Sequence, residues 1–155
     1  MVMRYFDLQT LPAMAWKNGG GVTREIVREP ASASLDDFEW RVSVADIAAA
    51  GPFSRFAGID RHLLLLEGDG VNLTSVEAGL HVNLLADDTV LAFSGDVDMS
   101  SQLLGGAVRD FNVMTKRGVW QAQVEVWTAE GGIHAEGGLI LQTKGQARCE
   151  HDESE

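Results

Sequence analysis

"HLLLLEGDGVNLTS", residues 62–75, is the stretch that decides the fold class. An apolar run reaches Gly68-Asp69-Gly70, and a second, alternating segment follows it. Glycine adopts positive φ without a steric penalty, so this tripeptide between two apolar segments reads as the turn of a β-hairpin. The same period of two recurs on either side. "WRVSVAD" (40–46) sets Trp40, Val42 and Val44 against Arg41, Ser43 and Ala45, as in a strand with one face buried. "VTREIVR" (22–28) sets Val22, Arg24, Ile26 and Arg28 against Thr23, Glu25 and Val27. "LHVNLL" (80–85) opposes Leu80, Val82 and Leu84 to His81 and Asn83, and "TVLAF" (89–93) runs into a turn at 94–96.

Farther on, "WQAQVEVWT" (120–128) alternates again, and "LILQT" (139–143) follows Gly137-Gly138. A short helix or turn around "DIAAAGPF" (46–53) is stopped by Gly51-Pro52. Many short strands with turn signals about every ten residues predict an all-β sandwich or barrel. Apolar strand clusters at 40–94 and 119–143 flank the less regular "GGAVRDFNVMTKRG" (105–118). This spacing predicts two β halves. The first covers about 1–110, and a connector with the second half covers about 111–148. The acidic tail "CEHDESE" (149–155) is expected to be solvated.

The chain has 155 residues, 45% of them hydrophobic, enough for one domain with a substantial core. Twelve Lys and Arg against 23 Asp and Glu give a net charge of −11, which argues against nucleic acid and against an anionic membrane surface. The single cysteine, Cys149, has no internal partner, and a reducing cytoplasm is the expected compartment. "MVMRYFDLQTL" lacks the pattern of a secretory leader, and no apolar run is long enough to span a bilayer.

The four histidines, at 62, 81, 134 and 151, are scattered without metal-ligand spacing, so neither a metal nor a cofactor is expected. "NGGGVTREI" (18–26) is not a phosphate-binding loop, because an alternating strand pattern follows it instead of a helix. No G-x-S-x-G nucleophile elbow occurs. What stands out is polar residues at strand positions whose neighbours are apolar: Arg41, Ser43, Arg61 and Asn112, with Met114 on the parity of Asn112 and Asp110. Buried arginine needs a partner. A bound carboxylate is one, since the planar guanidinium matches it; an internal acid such as Asp46, Asp60 or Asp110 is the other.

Read in order, "WKNGGGVTREI", "WRVSVADI", "GPFSRFAGIDR" and "VRDFNVMTKRG" resemble the HutD/Ves family as far as about residue 118. The resemblance implies a cupin-type double-stranded β-helix, or jelly roll. The chain would be bicupin-like, with the closing strands of its second half shortened or absent. It also implies that the usual cupin metal ligands need not be present, and it carries an association with histidine utilisation or stress response. No catalytic residue comes with it.

The expected function is that of a metal-free cupin binding a small anionic metabolite, of the histidine-degradation class, in a regulatory or sensing role. Arg41 and Arg61 would clamp its carboxylate. Ser43, Asn112 and Met114 would line the site, and Asn18, Gly19 and Gly20 would bring backbone to it. Three successive glycines exceed what a plain turn needs, so close backbone approach to a neighbouring strand or to a ligand is expected there. Two other readings stand beside this one: a metal-independent enzyme acting on a small carboxylic acid, and a structural or protein-interaction module. An unpaired strand edge in a short second half would be covered in a homodimer.

Overall fold

Ten antiparallel strands in two facing sheets make up the fold of the computed structural model, which describes residues 4–128, 130–131 and 137–144. The strands are β1 (Ala13–Ala15), β2 (Gly21–Glu29), β3 (Trp40–Ile47), β4 (Gly51–Phe53) and β5 (Ile59–Glu67), then β6 (Val71–Ser75), β7 (Leu80–Leu84), β8 (Val90–Ser94), β9 (Met99–Leu103) and β10 (Val108–Lys116). One sheet has the order β1-β2-β3-β10-β5-β8 and the other β4-β9-β6-β7. The crossing of sequence neighbours between the two sheets is that of a jelly roll, and the all-β expectation holds. Among the described residues no helix is long and apolar enough to cross a membrane.

The hairpin expected at Gly68-Asp69-Gly70 joins β5 to β6, which lie in different sheets, so the turn is a corner of the sandwich and not a two-strand ladder. Gly68 and Gly70 have φ of 108° and 122°, which explains the residue type at both positions. The apolar core between the sheets is built from Ile47, Leu63, Leu65 and Val108 of the larger sheet against Phe53, Val71, Leu73, Leu84 and Met99 of the smaller. At the opposite end of the larger sheet, Met114 packs with Phe38 and Ile59 in a separate apolar cluster.

The central strand β3 departs from the one-buried-face reading. Val42 and Val44 on its outer face are as buried as Arg41, Ser43 and Ala45 on its inner face. Strand β3 has a neighbour along each edge, β2 and β10, and its outward valines are buried as well.

All ten strands fall in a compact unit, Met1–Glu125, and Val126–Glu155 form a second unit. The alternating stretch 120–128, read from the sequence as a strand, belongs to none, nor does 139–143. Alternation marks a strand only where a partner ladder and a buried face exist, and Trp120 and Trp127 are each 49% exposed. His134 and the tail 149–155, with Cys149 and His151, lie outside the described residues.

Candidate functional site

Cross-strand pairs share a face, so the register of β3, β10 and β5 shows which side chains meet inside the sandwich. Met114 pairs with Arg41 on one side and Arg61 on the other; Asn112 pairs with Ser43 and Leu63; Asp110 pairs with Ala45 and Leu65. These three rows follow one another about 7 Å apart along the strands, and two strand spacings set the Arg41 and Arg61 backbones roughly 10 Å apart. Arg41, Ser43, Arg61, Asp110, Asn112 and Met114 are all buried. Five of the residues singled out in the sequence are therefore on one inward face, with Asp110 beside them.

Two further members come from β2, and their presence depends on a bulge. Glu25 lies opposite Ser43 and Arg28 opposite Arg41, so both face inward although they are three residues apart. A regular strand would put them on opposite faces; the register shift between Glu25 and Val27 absorbs one residue and restores both to the inside. The parity read from "VTREIVR" fails there for this reason. It had grouped Arg28 with Val22 and Arg24, which the structure sends outward opposite Asp46 and Val44.

The partners are specific. Arg41 Nε donates to Glu25 Oε2 at 2.6 Å, and Arg28 Nε stands 3.4 Å from Glu25 Oε1. Arg41 thus has an internal acid, though none of the three considered from the sequence. Asp46 faces outward between Arg24 and Arg109, and Asp60 binds Arg117. Arg61 is held differently. Its guanidinium sits 5.0, 5.5 and 5.6 Å from the ring centres of Phe93, Phe56 and Phe53, and among the described residues its only hydrogen bond is a long one to the Ser54 carbonyl, 3.3 Å. Burial lowers its pKa to about 10, against the favourable field of Asp110 and with the unfavourable field of Arg41. Burial likewise raises the Asp110 carboxyl to about 7, although Arg61 and the Ala45 main chain favour its charge.

Several polar atoms in this cluster are buried without a hydrogen-bond partner among the described residues: Nε of Arg28 and Arg61, and Oδ1 of Asp110 and Asn112. Such atoms are rare in folded proteins, since each one forfeits the hydrogen bond it had in water. Three guanidinium groups face two carboxyls, one of them titrating near neutrality. The interior of a chain with net charge −11 therefore holds a local positive excess.

Asn18, Gly19 and Gly20 are not brought to this cluster. Gly21 pairs with Ile47, six residues along β3 from Arg41, so the glycine loop lies roughly 20 Å away along the strand. Its glycines serve the chain itself. Asn18 Oδ1 accepts from the Gly20 amide at 2.9 Å, and Gly19 has φ 73°. A Cβ on Gly21 would stand 2.6 Å from the Asp46 carbonyl and 3.2 Å from the Trp16 ring. Trp16 is fixed in turn by Nε1 donating to Thr23 Oγ1 at 2.8 Å. The close approach is to the neighbouring strand and an indole.

No three His, Cys, Asp or Glu side chains among the described residues come together as a metal-ligand set. His62 points away from Arg61, to the outer face, with Nδ1 buried and unpartnered. A half-open depression of about 280 Å³ lies at the Met114 end, lined in part by Phe38, Gly58, Ile59, Lys116 and Arg117. It shares Phe38 and Ile59 with the cluster around Met114.

A family model described as HutD matches residues 8–155. The chain is 41% identical over 133 residues to an uncharacterized 21.2 kDa protein in the hutC 3' region of Pseudomonas putida, across 86% of this chain and 68% of that protein. It is 40% identical over 125 residues to protein Ves of Escherichia fergusonii, across 80% and 63%. Among solved structures it is similar to HutD from Pseudomonas fluorescens SBW25, described as a formate condition, with 41% identity and a TM-score of 0.63, across 70% of this chain and 57% of that one. The chain therefore spans less than two thirds of the Ves protein and of the solved HutD chain. The cupin domain of Schizosaccharomyces pombe Cnp3 matches at 12% identity and a TM-score of 0.55, across 72% and 73%, which shows the cupin fold alone.

Proposed function

We propose that this chain, which belongs to the HutD family and has a cupin-type fold, binds a small carboxylate inside its sandwich without a metal and serves as a sensor. The observation that carries this reading is the buried, inward-facing set of polar atoms lacking partners, Nε of Arg28 and Arg61 with Oδ1 of Asn112 and Asp110. A carboxylate satisfies guanidinium donors in their own plane and offsets the local positive excess. A ligand group that also donates a hydrogen bond would meet Asn112 Oδ1. A metabolite of the histidine-degradation class has the required carboxylate, and the family association supports that class.

Arg61 is the stronger clamp candidate. Arg41 is already engaged by Glu25, whereas among the described residues Arg61 meets only aromatic faces and one long hydrogen bond. The enzyme reading gains one observation: a carboxyl titrating near 7 is suited to proton transfer at neutral pH. Turnover of the bound acid would favour it.

The test is a titration of the isotope-labelled chain with formate, the carboxylate associated with the related HutD structure, and with larger monocarboxylates. Saturable amide shifts confined to β3, β5 and β10 are expected, and Arg61→Met should abolish them. Shifts absent for every acid, or unchanged in Arg61→Met, would overturn the reading.

A further inference from the structure

We propose that the Asp110 carboxyl is a proton-binding site linked to the anion site, so that the chain takes up its carboxylate together with a proton. The inference rests on the reading of the cluster as an anion site and adds its second ligand.

Among the described residues Asp110 has no ion-pair partner, and the one cation whose field favours its charge is Arg61, two rows along the same inward face. On its own strand, Arg109 faces outward and is bound to Asp46. On β3, Arg41 is held by Glu25, and Asp46 acts on Asp110 only as a weak like charge. On β2, Glu25 is committed to Arg41, and Arg28 stands 3.4 Å from the same carboxylate. On β5, Arg61 faces inward, while His62 faces out and Glu67 lies opposite Arg109. The facing sheet adds nothing, since β4, β6 and β9 contain no ionisable side chain and the one on β7, His81, is exposed.

An anion at Arg61 is therefore a second negative charge on the same dry face, beside the guanidinium whose field favours an ionised Asp110. Like charges brought near one another away from water disfavour each other's ionisation, and one of them takes a proton. A ligand seated against guanidinium donors keeps its charge. Asp110, 3% exposed and with Oδ1 unpartnered, is the group that gives way. Its carboxyl already titrates at about 7 before the anion arrives. The sign follows from linkage. Below the titration of the free site Asp110 is protonated in both states and affinity is flat. Above it, binding requires proton uptake, and affinity falls by up to about tenfold per pH unit.

The experiment uses the full chain, with sodium formate as probe and sodium chloride holding ionic strength constant, from about pH 6 to about pH 9. Formate stays ionised throughout, so any pH dependence belongs to the protein. The expected result is a dissociation constant that weakens steeply above neutrality in the wild type and stays flat in Asp110→Asn. The carbon-13 carboxyl shift of Asp110 in the wild type should also titrate at higher pH with saturating formate than without it. That second measurement decides the matter alone if the variant does not fold. Saturable binding that is independent of pH, with an unmoved Asp110 titration, would overturn the inference and leave the anion site standing. No saturable binding at any pH would bring down both.

Discussion

Replacing Arg61 by methionine separates an anion clamp from a structural ion pair, and the structure fixes the expected magnitude. A buried pair that loses one member ordinarily costs about 3–5 kcal/mol, because the survivor is left charged. Here no ion pair joins Arg61 to an acid among the described residues, and the acid left without its field is Asp110, whose carboxyl burial pushes up to about 7. At neutral pH it is half protonated already, and completing the protonation costs only about 0.4 kcal/mol. The guanidinium itself is a burden on the fold. The fall of its pKa to about 10, well below the ordinary arginine value, corresponds to about 3 kcal/mol of net penalty on the charged form. Against this stand the contacts with Phe53, Phe56 and Phe93, worth about 2 kcal/mol when desolvated, which a methionine partly restores through sulfur–aromatic packing. Arg61→Met should therefore fold, with a stability at neutral pH within about 2 kcal/mol of wild type, while formate affinity falls roughly thirtyfold or more. Urea denaturation gives the first quantity and titration by NMR the second. A loss above about 3 kcal/mol would refute the reasoning, because it would mean that Asp110 remains charged and that the pair holds the fold together.

What the sequence reveals depends on how far the strand pleat runs undisturbed. Along β3, β5 and the inner part of β10 the period of two is unbroken, and the inward grouping of Arg41 with Ser43, of Arg61, and of Asn112 with Met114 is legible from parity alone. Parity does not fix which strands are neighbours, so the rows themselves appear only in the folded register, as does the choice, among the three acids weighed for the arginines, of Asp110 as the one whose field acts on Arg61. Glu25 and Arg28 were illegible for a sharper reason: a bulge costs one residue of register and no side chain announces it. The glycine loop shows the reverse failure. Its composition signals close approach correctly, yet only the fold shows that the approaching groups are the Asp46 carbonyl and the Trp16 ring. At 120–128 the alternation is present and the ladder is not.

Three other outcomes are expected. Gly21→Ala should destabilise the fold by about 2–3 kcal/mol in chemical denaturation, because its Cβ meets backbone that cannot move aside, whereas Gly19→Ala, in open space at φ 73°, should cost only about 1 kcal/mol. Light scattering at micromolar concentration should give the mass of a homodimer, since edge strands such as the fully exposed β1 are usually covered; a monomer mass would count against it. The last concerns stability against pH. Asp110 has a folded pKa of about 7 against an ordinary 3.8, so it is raised. A raised acid contributes stability that is complete below its unfolded pKa and disappears as pH rises through the folded one. The whole effect is roughly 4 kcal/mol, spread between about pH 4 and about pH 7. Asp46, lowered chiefly by its hydrogen bond from Arg109, works in the opposite sense, but its stabilisation is lost below the ordinary aspartate range and so outside this window. Urea melts of the two proteins across that window should therefore show the wild type losing ground to the variant as pH rises. A constant difference would mean that Asp110 is solvated like a surface carboxylate, and the dry interior assumed for the cluster would be wrong.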